Sequence, residues 1–277
     1  MIYGRAGKVD CRGYGTRAPD PIKACGVLQA SGVTDKGRVR PANEDCFAIE
    51  RDLHLCIVAD GMGGHQAGDV ASRLAVEVVV EVVRDPERFG WPFGFDPSQS
   101  RAGNLVRTAI LLANGKVLES AAKSTAYAGM GTTIVVALVH GGTLVVGHVG
   151  DSRLYRLSGG RLRQLTTDDS WLASALANDP QADQALLREH PMSHALTGAV
   201  GVRPGAEVHV AEERLVRGDV LLLTTDGVHG VIDAPRLEAI LRAEAANPAA
   251  AAADLVRTAI ARGSRDNCTA VVARYDG

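Results

Sequence analysis

Five aspartates carry the chemical interest of this chain, because each lies where an apolar stretch meets a turn. The plainest case is Leu53-His54-Leu55-Cys56-Ile57-Val58-Ala59-Asp60-Gly61-Met62-Gly63-Gly64-His65, a strand-like run that delivers a carboxylate, then a histidine, into a glycine-rich loop. The same logic returns in Val220-Leu221-Leu222-Leu223-Thr224-Thr225-Asp226-Gly227, and Asp45, Asp151 and Asp266 also adjoin predicted strands. One such aspartate is an ordinary turn residue; five make a pattern. Carboxylates at the edge of an apolar sheet lose hydration and repel one another, so cations must meet them. All-oxygen donors, with no CxxC pair and no HExxH, favour hard octahedral ions, Mg²⁺ or Mn²⁺, over zinc.

The elements that must position these acids alternate as hairpins. A first strand is expected over 26–35 and a second over 46–50; Asp52 then turns the chain into 53–59, an antiparallel hairpin that brings Asp45 and Asp60 toward one edge. Val70, Ala71, Leu74, Ala75, Val78 and Val82 recur at helical spacing, and a second helix is expected from about Asn104 to Ala122. Hairpins follow over 130–149, around His140-Gly141, and over 152–165, around Gly159-Gly160. Residues 166–201 turn irregular and polar with two short helical pieces, the profile of a flap beside a site. Strands over 208–210, 219–225 and 268–274 complete the pattern, with helices capped by Asp233 and by Asn247-Pro248.

Length suits one large domain, 24–277, preceded by a Gly-, Arg- and Pro-rich arm over 1–23. A formal charge of -2, from 30 basic and 32 acidic residues, argues against a nucleic-acid or anionic-membrane footprint. The five cysteines show no pairing pattern, and Cys46, Cys56 and Cys268 read as core thiols of a reducing, cytoplasmic compartment. Neither a membrane span nor a secretory h-region is apparent, and a monomer is expected. Residues 85–103 gather Phe89, Trp91, Phe93 and Phe95 in a chain that is only 4% aromatic. Such a segment is either a loop pinned to its own domain by aromatic burial or a partner-binding patch.

Taken together, Arg40-Pro41-Ala42-Asn43-Glu44-Asp45, Ala59-Asp60-Gly61-Met62-Gly63-Gly64-His65, Gly129-Met130-Gly131-Thr132-Thr133, Val149-Gly150-Asp151-Ser152-Arg153, Thr225-Asp226-Gly227 and Arg265-Asp266-Asn267 resemble the motifs of bacterial PP2C-type (PPM) metal-dependent serine/threonine phosphatases. They occur in the family's order over roughly 26–274. The resemblance implies an α+β fold, a four-layer α-β-β-α sandwich with two central antiparallel sheets. It implies two core Mn²⁺ or Mg²⁺ ions, with Asp60 bridging them, the Gly61 carbonyl on one, and Asp226 and Asp266 on the other. It further implies Asp151 on a third, weaker ion, Glu44 and Asp45 holding ion-bound waters, Arg40 on the substrate phosphate and His65 as general acid. A histidine of a glycine-rich loop also commonly bonds to nothing but backbone, so the role of His65 is open at this point.

Implied activity is hydrolysis of phosphoserine or phosphothreonine in proteins by a metal-activated water, opposing a bacterial Ser/Thr kinase. A Cys-based mechanism fits poorly, since no cysteine precedes a phosphate loop ending in arginine. Two other readings share the fold: a catalytically silent binder of phosphoproteins, which the complete acid set disfavours, and a phosphoesterase acting on small molecules. Two departures from the family pattern stand out, the insert over 85–103 and a residue at the flap entrance. Asp169, in Thr167-Asp168-Asp169-Ser170, occupies a flap position where many bacterial relatives carry histidine.

Overall fold

The structure is a computed structural model that describes residues 28–63, 67–193 and 195–277. The expected arm over 1–23, Cys11, Cys25 and His65 all lie outside these residues. Two antiparallel sheets form the centre. One is five-stranded, in the order β1 (Leu28–Asp35), β11 (Cys268–Tyr275), β10 (Val220–Thr224), β7 (Arg153–Ser158), β8 (Arg161–Gln164). The other is six-stranded, in the order β2 (Asp45–Glu50), β3 (Leu55–Met62), β5 (Ile134–His140), β6 (Thr143–Val149), β9 (His209–Arg214), with β4 (Gly131–Thr132) added to the end of β3.

Helices cover the outer faces. α1 (Ala67–Arg84) and α3 (Arg101–Ala122) pack on each other and on the six-stranded sheet. α8 (Pro248–Ala261) lies on β1 and β11, with α7 (Ala234–Ala243) beside it. Alternation along each buried strand explains the layering: Leu55 and Ile57 pack toward the α1 and α3 core, whereas Cys56 and Val58 pack between the sheets. Likewise Val220 and Leu222 face α7 and α8 while Leu221 and Leu223 face the other sheet. Both faces of these strands are dry, so they read as unbroken apolar runs. Cys46, Cys56 and Cys268 are buried in the core.

Several boundaries differ from the sequence reading. β3 does not end at Ala59 but runs through Asp60 and Gly61 to Met62, because β4 supplies pairing partners for Gly61 and Met62. β9 is longer than the apolar 208–210, since its half-exposed edge tolerates Glu212, Glu213 and Arg214. α3 starts at Arg101 because the Ser100 hydroxyl accepts from the Gly103 amide and caps it. The buried stripe of α1 includes Val76, Val79 and Val83 as well as Ala71, Ala75 and Val82, since the helix must cover both a sheet and α3.

Within 85–103, a one-turn α2 (Pro86–Phe89) places Phe89 against the α1 and α3 core, and the Asn104 side chain bonds the Asp96 backbone at both ends. Trp91 meets Phe95 edge-on at 5.2 Å, yet Phe93 and Phe95 stay 44% and 49% exposed. The span 166–201 contains α4 (Trp171–Asn178) and α5 (Gln184–Glu189), with Trp171 stacked on His190 at 4.3 Å. No helix among the described residues is long and apolar enough to cross a membrane.

Candidate metal centre

The acids converge at one end of the sandwich, where strands of both sheets finish. Asp45 and Asp60 are direct cross-strand partners in the β2–β3 ladder. Threonines grip the backbone of Asp60 from both sides: its amide donates to Thr133 Oγ1 (3.0 Å), and its carbonyl accepts from Thr132 Oγ1 and the Thr133 amide (both 2.8 Å). Thr133 also shares a hydroxyl bond of 2.7 Å with Ser152, so the strand of Asp60 is tied to the turn of Asp151. Asp45 joins the two sheets, its Oδ2 accepting from Thr225 Oγ1 (2.9 Å) and Thr269 Oγ1 (2.6 Å).

The loops carrying Arg40 and Asp266 are stitched by Asn267. Its side chain donates to the carbonyls of Lys36 and Ala42 and accepts from the Glu44 amide, each at 2.8–2.9 Å. Arg40 Nη2 bonds Asp266 Oδ2 at 2.5 Å, and its guanidinium also feels Asp226 and Asp60. Glu44 is pushed upward by burial, against the pull of Arg40 and a bond from the Gly68 backbone.

Electrostatics report the crowding. Burial, then Asp45, Asp226, Asp151 and Asp266, pushes the Asp60 carboxyl well above the usual carboxylate range. Burial followed by Asp226 and Asp266 lifts Asp45 to about 7, despite the two threonine bonds. Asp151 also rises to about 7, through burial, Asp226 and Asp168. Among the described residues, no three His, Cys, Asp or Glu side chains already stand at the spacing of a finished ion cage. Mutual repulsion of this kind opposes their closing further unless positive charge enters.

These residues fit a hard divalent cation. Asp45 Oδ1 is buried and has no hydrogen-bond partner, an acceptor that a cation or its bound water would satisfy. The groups gathered around it are the carboxylates of Asp60, Asp226 and Asp266, oxygen donors of the kind that Mg²⁺ and Mn²⁺ take. Of the sequence-predicted residues, Arg40, Glu44, Asp45, Asp60, Gly61, Asp151, Asp226 and Asp266 come to this end, while His65 lies outside the described residues. Sequence reasoning missed Thr225, Thr269, Ser152 and Asn267 as supports. Three of them sit inside the quoted motifs, where their hydroxyls and amide were the available signal; Thr269, near the start of the closing strand-like run, gave none.

Comparisons with known proteins agree with this geometry. The profile described as "Protein phosphatase 2C" matches residues 38–260. The serine/threonine phosphatase stp of Listeria monocytogenes is 32% identical over 253 residues, covering 90% of this chain and 96% of its own. The crystal structure of the Mycobacterium tuberculosis serine/threonine phosphatase PstP/Ppp superposes with a TM-score of 0.79 at 29% identity, over 91% of this chain and all 100% of that one. The catalytic domain of PstP in complex with two manganese ions gives a TM-score of 0.76 at 28% identity, over 91% and 100%. With its acid-lined sheet ends, its α-β-β-α layers and a match spanning most of its length, this chain belongs to the protein phosphatase 2C family, in its bacterial branch of serine/threonine phosphatases that use divalent metal.

Proposed function

We propose that the chain hydrolyses phosphoserine and phosphothreonine in proteins phosphorylated by a bacterial Ser/Thr kinase, as a cytoplasmic monomer working with two core Mn²⁺ or Mg²⁺ ions and a third, weaker one. The observation that carries this reading is the convergence of Asp45, Asp60 and Asp151 at one end of the sandwich, each raised first by burial and then by neighbouring acids that in every case include Asp226, with Arg40 bonded to Asp266 beside them. Asp60, the Gly61 carbonyl, Asp226 and Asp266 would hold the core ions, with Asp151 on the third and Glu44 and Asp45 orienting coordinated water. When bound, the ions supply Lewis-acid polarisation of the phosphoryl group and of attacking water.

The remaining work falls to side chains. Arg40, half-exposed beside Asp266, swings its fork onto two phosphoryl oxygens and fixes the phosphorus for in-line attack. Water oxygen bonds to phosphorus, the bond from phosphorus to the seryl or threonyl oxygen breaks, and His65 gives the departing oxygen its proton. No side chain becomes phosphorylated. The test is release of phosphate from a phosphothreonine peptide with Mn²⁺ present and absent, with a nucleotide as competitor. Inactivity in millimolar Mn²⁺ would overturn the enzymatic reading, and a preference for the nucleotide would overturn the protein-substrate reading.

A further inference from the structure

Two consecutive acids at the root of the flap hold both flanks of Asp151. Asp168 takes Arg153 through Nε and Nη2, at 2.9 and 2.6 Å. Asp169 takes the other flank: its Oδ2 accepts from the Gly150 amide at 2.8 Å, and its own amide donates back to the Gly150 carbonyl at 3.0 Å. The second carboxylate oxygen of Asp169 accepts from His209 Nε2 on β9 at 2.9 Å. His209 in turn stacks on His148, whose Nε2 donates to the Thr167 carbonyl at 2.8 Å. One side chain thus ties together the turn of Asp151, an edge strand and the flap.

From Asp169 the connection continues into the flap and back to the centre. Its carbonyl accepts from the Thr197 amide at 2.8 Å, and the Trp171 amide donates to Ala195 at 2.8 Å. Val200 then exchanges both backbone bonds with Thr132, the residue whose hydroxyl grips Asp60. The flap is therefore anchored at both ends to residues that position the acids, and Asp169 is the charged anchor.

We propose that Asp169 is a positioning residue that latches the flap onto the Asp151 turn, so that flap order and ion binding at Asp151 rise and fall together. The part concerning the ion rests on the assignment of Asp151 as a ligand; the latch itself does not. A carboxylate accepting from a backbone amide and an imidazole at once is a strong anchor, and its loss should cost about 10-fold or more in local opening.

Hydrogen exchange of the chelator-treated protein tests the latch directly. In Asp169→Ala the amides of Gly150, Trp171, Thr197 and Val200 should lose protection together, by about 10-fold or more. His209→Gln, at a half-exposed residue, removes only the imidazole bond and should give the same pattern more weakly, which covers the case in which Asp169→Ala fails to fold. KM for a phosphothreonine peptide should rise in both variants with kcat on p-nitrophenyl phosphate retained, the result expected of a flap that contributes to peptide binding and not to the phosphoryl site. Deprotection of Gly150 alone, with the three flap amides unchanged in both variants, would overturn the latch. Calorimetric Mn²⁺ titration separates the two ideas: Asp169→Ala and Asp151→Ala should weaken the same binding step. If Asp151→Ala leaves that titration unchanged, the ligand assignment fails while the exchange result still decides the latch; if only Asp169→Ala leaves it unchanged, the coupling to the ion is overturned.

Discussion

Two Asp-Gly pairs follow buried strands, one in each sheet, and they fold differently. Asp60-Gly61 stays in β3, held by β4 and by the hydroxyls of Thr132 and Thr133. Asp226-Gly227 leaves β10 and opens a one-turn helix, Asp226–His229, whose return bond runs from the Gly230 amide to the Asp226 carbonyl at 2.7 Å. Neither glycine has a positive φ, so neither is there to turn the chain. What they share is space. A Cβ on Gly61 would lie 2.1 Å from the Gly68 carbonyl oxygen and 2.6 Å from that of Glu44; one on Gly227 would lie 1.8 Å from that of Asn267. Each glycine lets a neighbouring acid-bearing loop close in, Glu44 and Asp45 beside Asp60, Asp266 beside Asp226.

The two acids should be equal in chemistry even though their backbones differ. Asp60→Asn and Asp226→Asn are each expected to drop turnover to background and to weaken Mn²⁺ binding in a calorimetric titration. Full activity in either variant would remove that aspartate from the ion site. Arg40→Ala, outside both strand ends, should act differently. Losing a charge-assisted bond to phosphate is worth about 1.5–3 kcal/mol, so KM should rise about 10- to 100-fold with kcat nearly kept. Equal loss of kcat with unchanged KM would overturn its substrate-binding role.

Much of this end was legible in the sequence because burial and charge conflict there: an apolar run that stops in a carboxylate is costly to fold unless a cation or several donors meet the acid. The hairpin of β2 and β3, the capped helices α7 and α8 and the flap's irregularity were legible for equally local reasons, in turn residues, caps and the loss of periodicity. What stayed hidden was non-local. Nothing within residues 130–165 says that β5 and β6 join one sheet while β7 and β8 join the other, because both hairpins alternate alike and the choice is made by β9 and β10 far along the chain. The continuation of β3 past Asp60 to Met62 depends equally on partners distant in sequence, Gly131 and Thr132. The Thr269 hydroxyl that helps to hold Asp45 is silent for a further reason: a β-branched threonine inside a strand looks like strand propensity, whatever its oxygen meets.

Backbone closeness gives the next test. Gly61→Ala and Gly227→Ala should each destabilise by about 1–3 kcal/mol in urea unfolding, as overpacking against immovable backbone does, with Gly227→Ala the worse. Mn²⁺ affinity should fall in both, since the displaced loops carry the opposite acids. If either variant unfolds like the parent, its glycine is not the spacer described.

Charge then distinguishes the paired ends from the rest of the fold. Asp45 and Asp151, both raised to about 7, keep their protons in the folded chain at a pH where the unfolded chain has released them. Their contribution is therefore present below the ordinary carboxylate range and is lost as pH climbs through about 7. The chelator-treated protein should melt at lower temperature as pH rises across that window, by about 2–4 °C for each kcal/mol lost. Mn²⁺ should restore more at the alkaline end, where it no longer competes with protons. A melting temperature that climbs with pH in the absence of metal would contradict the crowding.

The smallest effect separates the two ends most finely. On the Asp60 side the Thr133 and Ser152 hydroxyls meet at 2.7 Å and connect to the Asp151 turn; on the Asp226 side the hydroxyl of Thr225 is committed to Asp45 instead. A double-mutant cycle of Thr133→Val with Ser152→Ala should therefore show coupling of about 0.5–1.5 kcal/mol, the net worth of one hydrogen bond. The same cycle of Thr225→Val with Ser152→Ala should show almost none, because those groups have no shared partner. Equal coupling in the two cycles would mean that the acids move as one rigid block, and that the division between a strand-held Asp60 and a helix-held Asp226 has no energetic content.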